Sequence, residues 1–448
     1  QYLTKHPEAE NASTANWTNL GPDNSNSGYN GIGRVNCIAF DPGNQNTIWL
    51  GSAGGGLWKS TNGGNSWVAK TDHLPTLGVT AIAIDPVNPA TLYIATGDGF
   101  ADTDLNPFIY NFSVGILKST DNGDTWTPTG LGFDVTEQWL IRQLLVHPAS
   151  PNILLAATNK GLFRSSDAGA SWINLIGNDN FFDLKFKPGS PNTIYAASDN
   201  LLYRSTDAGA SWQIAQLINQ SGRIALAVSP ANPNLVAAVS SDKLSAGRFN
   251  GLYVSQNSGA SYALRSSFPN ILSGVPNGLS NTGQGLYDLC VAVDPLNTNI
   301  VYVGGVNLWK STNVGTSWSL ATYWIEDDAP PGVPVVHADK HCLVWQNNTT
   351  LFQGNDGGIY KTGNGGLTWT DLSTNLAISQ MYRLGLSKAD SKIIVGLQDN
   401  STRLRTTSGT WTDAVRTGDG ADCFFHPTNA NTVFCERVGG ENLYRSNN

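Results

Sequence analysis

The sequence predicts an all-β fold, a multi-bladed β-propeller of about nine four-stranded antiparallel blades, on three observations. A nine-residue box ending in an aromatic residue recurs along the chain. A pair of short apolar strands joined by a Pro/Asn turn precedes each copy. Helical periodicity is nearly absent, with Glu137 to Leu145 offering a short helical turn at most.

The box first reads KSTNGGNSW, from Lys59 to Trp67. It returns as KSTDNGDTW ending at Trp126, RSSDAGASW at Trp172, RSTDAGASW at Trp212, VSQNSGASY at Tyr262, KSTNVGTSW at Trp318 and KTGNGGLTW at Trp369. A worn copy, RTTSGTW, ends at Trp411, and a last one begins at Tyr444. Ser and Asp or Asn side chains bond backbone N–H groups of a turn, and Gly takes the conformation other residues resist. Asp121, Asp167 and Asp207 therefore read as scaffold. The closing Trp should fold back and be buried between strands.

The strand pair reads VNCIAFDPGNQNTIWLGS, then VTAIAIDPVNPATLYIAT, and recurs down to CFFHPTNANTVFCER. Each unit thus gives strand, turn, strand, loop, strand, box, strand, which is one propeller blade. Residues 1–34 form an N-terminal segment. Within it ANWTNLGP, at 15–22, reads as the outer strand that follows a box and would close the ring by completing the last blade. Residues 35–448 form the propeller, whose units make one ring or divide between two.

These repeats resemble the Asp-box, or BNR, repeats of sialidases, xyloglucan-active propeller hydrolases and sortilin-type receptors. The resemblance spans nearly the whole chain. It implies the scaffold more than the activity, because the box lies away from the ligand in those families.

Charged residues make up only 13% of the chain and the net charge is −8, which argues against a nucleic-acid partner needing clustered Lys and Arg. No apolar run reaches the roughly 20 residues of a membrane span. The five cysteines are odd in number and cannot all pair within the chain. Cys37, Cys290 and Cys342 read as small fillers at equivalent strand positions. Cys423 and Cys435 fall on neighbouring strands, where a disulfide is an open alternative. Low charge with abundant Asn, Ser and Thr points to a secreted monomer.

Four long loops depart from simple turns: 97–113, 240–250, 265–286 and 321–340. The last runs into VVHADKHCLVW, which sets His337, Asp339 and His341 on one face of an extended segment. GNDGG at 354–358 and GLQDN at 396–400 occupy equivalent places in this blade and the next. If these loops share a rim, His337, Asp339, His341, Asp356, Gln398 and Asp399 converge. Imidazoles with carboxylates suit zinc or manganese, and carboxylates alone suit calcium. The same side chains can instead hold the loops by hydrogen bonds or meet a substrate directly. The His-x-Asp-x-His, GNDGG and GxQDN combination also resembles large secreted glycosyl-hydrolase-like proteins of gliding, polymer-degrading bacteria, and that resemblance implies secretion.

The expected metal set is His337, Asp339 and His341. The expected catalytic carboxylates are Asp339, Asp356 and Asp399, since glycoside hydrolysis uses paired carboxyls. Arg34, Gln398, Trp324 and Tyr382 are the expected substrate contacts. A sialidase site would need an arginine triad and a Tyr–Glu pair, which no spacing signals. The reading is a propeller that binds a glycan or an extracellular protein through one loop-rich face. A glycoside hydrolase and a structural surface protein are the alternatives.

Overall fold

The structure is a computed structural model that describes residues 19–24, 31–99, 111–244, 247–415, 418–438 and 442–447. Its described strands form nine antiparallel sheets, eight of four strands and a last of three. In chain order, the innermost strands are Val35–Asp41, Val79–Ile84, Ile141–Val146, Phe181–Phe186, Ser221–Val228, Cys290–Val293, Lys340–Trp345, Met381–Leu386 and Gly420–His426. A 3₁₀ turn occupies Val135–Glu137, so the expected helical turn at Glu137 to Leu145 is displaced. Ile141–Val146 is strand because its apolar residues line an inter-blade seam.

Burial peaks at the second strand of a blade and falls toward the outermost. The second strand of the third blade, Leu154–Thr158, is buried throughout, as is Ile194–Ser198 in the fourth. Their outermost strands expose Ile173 and Ile214. A strand covered on both faces tolerates an unbroken apolar run, whereas an outer strand does not need one.

Neighbouring blades join through apolar seams, and these seams define the ring. Trp49 and Leu57 of the first blade pack on Leu92 and Ile94 of the second. Similar clusters join second to third, third to fourth, fourth to fifth, fifth to sixth and sixth to seventh blades. The seventh seam closes the circle: Ile48, Trp58 and Trp67 of the first blade meet Phe352, Ile359 and Leu372 of the seventh. The first inner strand packs on the seventh accordingly. The eighth and ninth blades share a separate cluster around Ile394, Phe425 and Val433. Residues 15–18 of the expected closing strand lie outside the described residues. Residues 19–22 carry no strand, and Leu20 accepts a hydrogen bond from the Trp411 indole of the eighth blade (2.9 Å).

The box behaves as scaffold. In the third blade Ser165 Oγ donates to Asp167 (2.8 Å) and accepts from the buried Gly169 N–H (2.9 Å), while Asp167 accepts from Ser171 N (2.9 Å). Hydrogen bonds from Ser171 and Ser165 draw the Asp167 carboxyl down to about 2. Of the box tryptophans, Trp67 is buried. Trp126, Trp172, Trp212, Trp318 and Trp369 are only partly so, because each packs against the outside of a seam cluster rather than within it. Ser165→Ala strands the Gly169 N–H in an apolar setting. It should cost about 1–3 kcal/mol, read as a lower midpoint in urea unfolding.

Cys423 and Cys435 are direct cross-strand partners, as expected, and both thiols are free. Cys37, Cys290 and Cys342 line a channel of about 150 Å³ on the ring axis.

Candidate functional site

Most innermost strands begin with a register shift that leaves one residue without a ladder partner. The shifts fall between Val35 and Cys37, Val79 and Ala81, Ile141 and Gln143, Phe181 and Asp183, and Lys340 and Cys342. Bulges of this kind re-aim a side chain. The residues released are Asn36, Thr80, Arg142, Phe182 and His341, and all five line the axial channel.

At the mouth of this channel the three expected loops meet. Asp356 follows the second strand of the seventh blade, Leu351–Asn355, and Asp399 follows that of the eighth, Ile393–Leu397. His341 Nε2 lies 2.7 Å from Asp356 Oδ1, and the Tyr287 hydroxyl donates to Asp356 Oδ2 (2.6 Å). Tyr287 in turn accepts from Arg34 (2.8 Å), whose guanidinium also pairs with Asp98. Asn400 Nδ2 reaches the Asp356 carbonyl (2.9 Å) and ties the eighth blade to the seventh. Glycines allow this approach: a Cβ on Gly357 would stand 2.3 Å from the His337 ring, and one on Gly31 would stand 1.9 Å from the Gly357 Cα.

Asp339, Asp356 and Asp399 each present a carboxylate oxygen, and these oxygens lie within 4.8 Å of one another. Asp339 (φ 61°) and Asp399 (φ 56°) both hold left-handed backbone, a conformation that recurs at functional sites. Burial and then the charge of Asp356 push both carboxyls up. Burial works on Asp356 in the same direction, but His341, Arg34 and Tyr287 outweigh it and hold Asp356 ionised, at about 2. Burial opposes the Arg34 charge too, and Asp98, Tyr287 and Asp356 together overcome it. Both histidines are driven down by burial and are neutral near pH 7.

A cavity of about 240 Å³ opens beside the cluster. Asp339, Asp399, His337 and Trp324 line it, together with Gly274 and Gln284 from the long 265–286 loop. The Trp324 indole is anchored to the Gly274 carbonyl (3.0 Å).

The structure thus brings together Asp339, Asp356, Asp399, His337, His341 and Trp324. It does not bring the other three to this cavity. Arg34 is buried in its ion pair, Gln398 accepts from Gln380 (3.1 Å), and Tyr382 is 41% exposed on the eighth inner strand. The expected His–Asp–His ligand set is not formed. His341 faces Asp356, and His337 Nε2 faces the Asp399 carbonyl (3.1 Å), so each imidazole is spent on a loop contact. Of the 97–113 insertion, residues 100–110 lie outside the described residues.

Asp288 and Lys340 complete the site and carry no motif of their own. Aligning the three equivalent cysteines finds their level: Arg34, Tyr287 and Asp339 each stand three residues before one, and Asp288 and Lys340 stand two before. Lys340 is wholly buried, its ammonium donating to the carbonyls of Val306 (2.7 Å) and His337 (2.8 Å).

A second rim carboxylate sits apart, after the second strand of the fourth blade. Burial raises Asp199 to about 6, with Arg142 and an Asn180 hydrogen bond opposing. The folded chain then binds this proton more tightly than the unfolded chain, so its contribution to stability is full below about pH 4 and is lost as pH rises through 6. Asp199→Asn should stabilise the fold by about 1–2 kcal/mol above pH 6 and by little at pH 4. Melting temperatures across that range test it.

The fold and site together define a propeller with an acidic cluster at the mouth of its axis. No family model matches the chain. A Paenibacillus protein named xyloglucanase is 35% identical over 153 residues, which is 32% of this chain but only 14% of that protein's length. Among solved structures, the GH74 xyloglucanase from Xanthomonas campestris superposes with a TM-score of 0.68 at 17% identity, over 95% of this chain and 68% of that one. A structure described as YCF48 bound to D1 peptide gives a TM-score of 0.50 at 15% identity, over 78% of this chain and 99% of that one. At these identities the structural likeness is one of fold. Among the described residues, no helix is long and apolar enough to cross a membrane.

Proposed function

We propose that this chain is the propeller of a secreted glycoside hydrolase, acting on a polysaccharide whose end enters the mouth cavity. One observation carries the reading: an anchored aromatic ring, Trp324, and two carboxyl groups, Asp339 and Asp399, face the same small cavity. Sugar rings stack on aromatic faces, and glycoside hydrolysis needs carboxyl groups beside the anomeric carbon. The partial sequence match to xyloglucanases supports the substrate class, a β-glucan of the xyloglucan kind. At about 240 Å³ the cavity lies below the roughly 300–1,000 Å³ typical of drug-sized sites. It fits a chain end or a branch sugar better than a long stretch.

The reading includes the arrangement of blades. The first seven make one ring by their seams, and the eighth and ninth belong to a second propeller unit whose loops supply Asp399 to the site. Secretion rests on the composition and on the resemblance stated above.

The test is release of reducing ends from xyloglucan and a panel of other β-glucans, by the chain as it stands and by Trp324→Ala. Release that the substitution removes supports hydrolysis. Retention of a glycan without turnover supports the plain binding reading. Neither release nor retention, from any glycan offered, overturns both.

A further inference from the structure

The acidic cluster packs together more carboxyl groups than its neighbours answer with hydrogen-bond donors. Asp288 is fully buried, no amide, hydroxyl or cationic donor reaches either of its oxygens, and its hydrogen-bonding neighbour is the carboxyl of Asp339. Asp339 Oδ1 is likewise buried without a donor. The cations nearby direct their N–H groups elsewhere. Arg34 serves Asp98 and Tyr287, Lys340 serves two backbone carbonyls, and Arg223 serves the carbonyls of Leu286, Tyr287 and Leu289 at 2.6–3.1 Å. A buried carboxylate without a donor is expensive unless a cation compensates it.

We propose that Asp339, Asp356 and Asp399 hold a divalent cation of the oxygen-seeking kind, calcium, at the floor of the mouth cavity. Three features select that ion. The converging atoms are all carboxylate oxygens, because both imidazoles are turned to other partners, which disfavours zinc. Their mutual spacing, within 4.8 Å, is what two ligands across one ion show at a calcium–oxygen distance of about 2.4 Å. The cavity also leaves room for further oxygen ligands, which a six- to eight-coordinate ion takes from water or from sugar hydroxyls. Asp288 stands behind this shell, against Asp339, as a second neighbour that orients that ligand. This deepens the hydrolase reading by placing an ion where the sugar would bind, but its test needs no sugar.

Chelator-treated protein is titrated with calcium chloride alone and followed by calorimetry and by melting temperature. The expected result is one saturable site per chain, with a melting temperature that rises as the ion binds. Asp339→Asn and Asp399→Asn should weaken it roughly 100-fold or more, and Asp288→Asn by roughly 10-fold. Asp199→Asn, at the remote rim carboxylate, should leave it unchanged. The proposal is overturned if wild-type protein shows no saturable calcium binding, or if the Asp339→Asn/Asp399→Asn double variant binds as tightly as wild type. Glycan cleavage that persists in chelator without ion binding removes the ion and leaves the hydrolase. Ion binding without cleavage of any glycan does the reverse.

Discussion

Asp399→Asn is expected to cut the release of reducing ends by roughly 10²–10⁴-fold while raising the melting temperature of chelator-treated protein. The two effects have opposite signs for one reason. Asp399 lines the cavity and its carboxylate converges with those of Asp339 and Asp356. A group that moves a proton or steadies charge at the reacting bond is worth about 3–5 kcal/mol of barrier, which is the size of that loss in rate. The carboxylate also repels two others at close range, and the amide does not. Asparagine suits the test because it accepts the left-handed backbone found at position 399 and keeps the side-chain shape. Active sites often carry this trade between stability and activity. Initial rates and a thermal melt on the same preparation check both halves. A variant that keeps full activity would remove Asp399 from the chemistry.

Asp98→Ala is expected to destabilise the fold by about 3–5 kcal/mol, the largest stability loss of any single substitution considered for this chain. Arg34 and Asp98 form an ion pair whose side chains are 3% and 6% exposed. It joins the entry to the first blade to the loop after the second strand of the second. Removing the carboxylate leaves a guanidinium in a nearly dry site with the Tyr287 hydroxyl and the charge of Asp356 left to answer it. The cost comes from that stranded charge rather than from the worth of the pair. Replacing both partners, as Arg34→Met with Asp98→Leu, should therefore recover most of the loss. Urea unfolding of the single and double variants measures it. Because Arg34 also steadies Tyr287, and Tyr287 steadies Asp356, the double variant should fold well yet lose activity.

The scaffold was legible because one short pattern repeats. KSTNGGNSW and its copies announce a hairpin, and the paired strands before each copy complete a sheet. Nine copies give nine sheets. How those sheets divide was not legible. Nothing in the eighth repeat's composition separates it from the seventh, and the boundary shows only as a change in which apolar faces meet. The acidic cluster was readable in part, because the segments carrying Asp356 and Asp399, GNDGG and GLQDN, sit at equivalent places after the second strands of their repeats. Trp324, in an irregular loop, has no such offset and reads from the sequence only as a loop aromatic able to stack on a sugar face. Tyr287 and Asp288 were obscured by the long loop before them, although their distance from Cys290 matches that of Asp339 and Lys340 from Cys342. Alternation along an extended segment predicts a shared face, but a bulge at His341 and a left-handed turn at Asp339 break that alternation.

The seventh seam joins two sheets that are each built from an uninterrupted stretch of chain, 35–69 and 340–371. Among the described residues, no strand crosses from one end of the chain to the other to lock the circle. The junction depends on packed side chains and a few bonds such as that from the Trp67 indole to the Leu372 carbonyl (2.8 Å). Of the apolar seams it joins strands farthest apart along the chain, and so is the slowest of them to assemble. Gly31 and Gly357 touch there, one residue from Asp356. The molecule is therefore a bracelet whose fastening lies beside the acidic cluster, and loosening at the fastening reaches Asp356 before it reaches the other links.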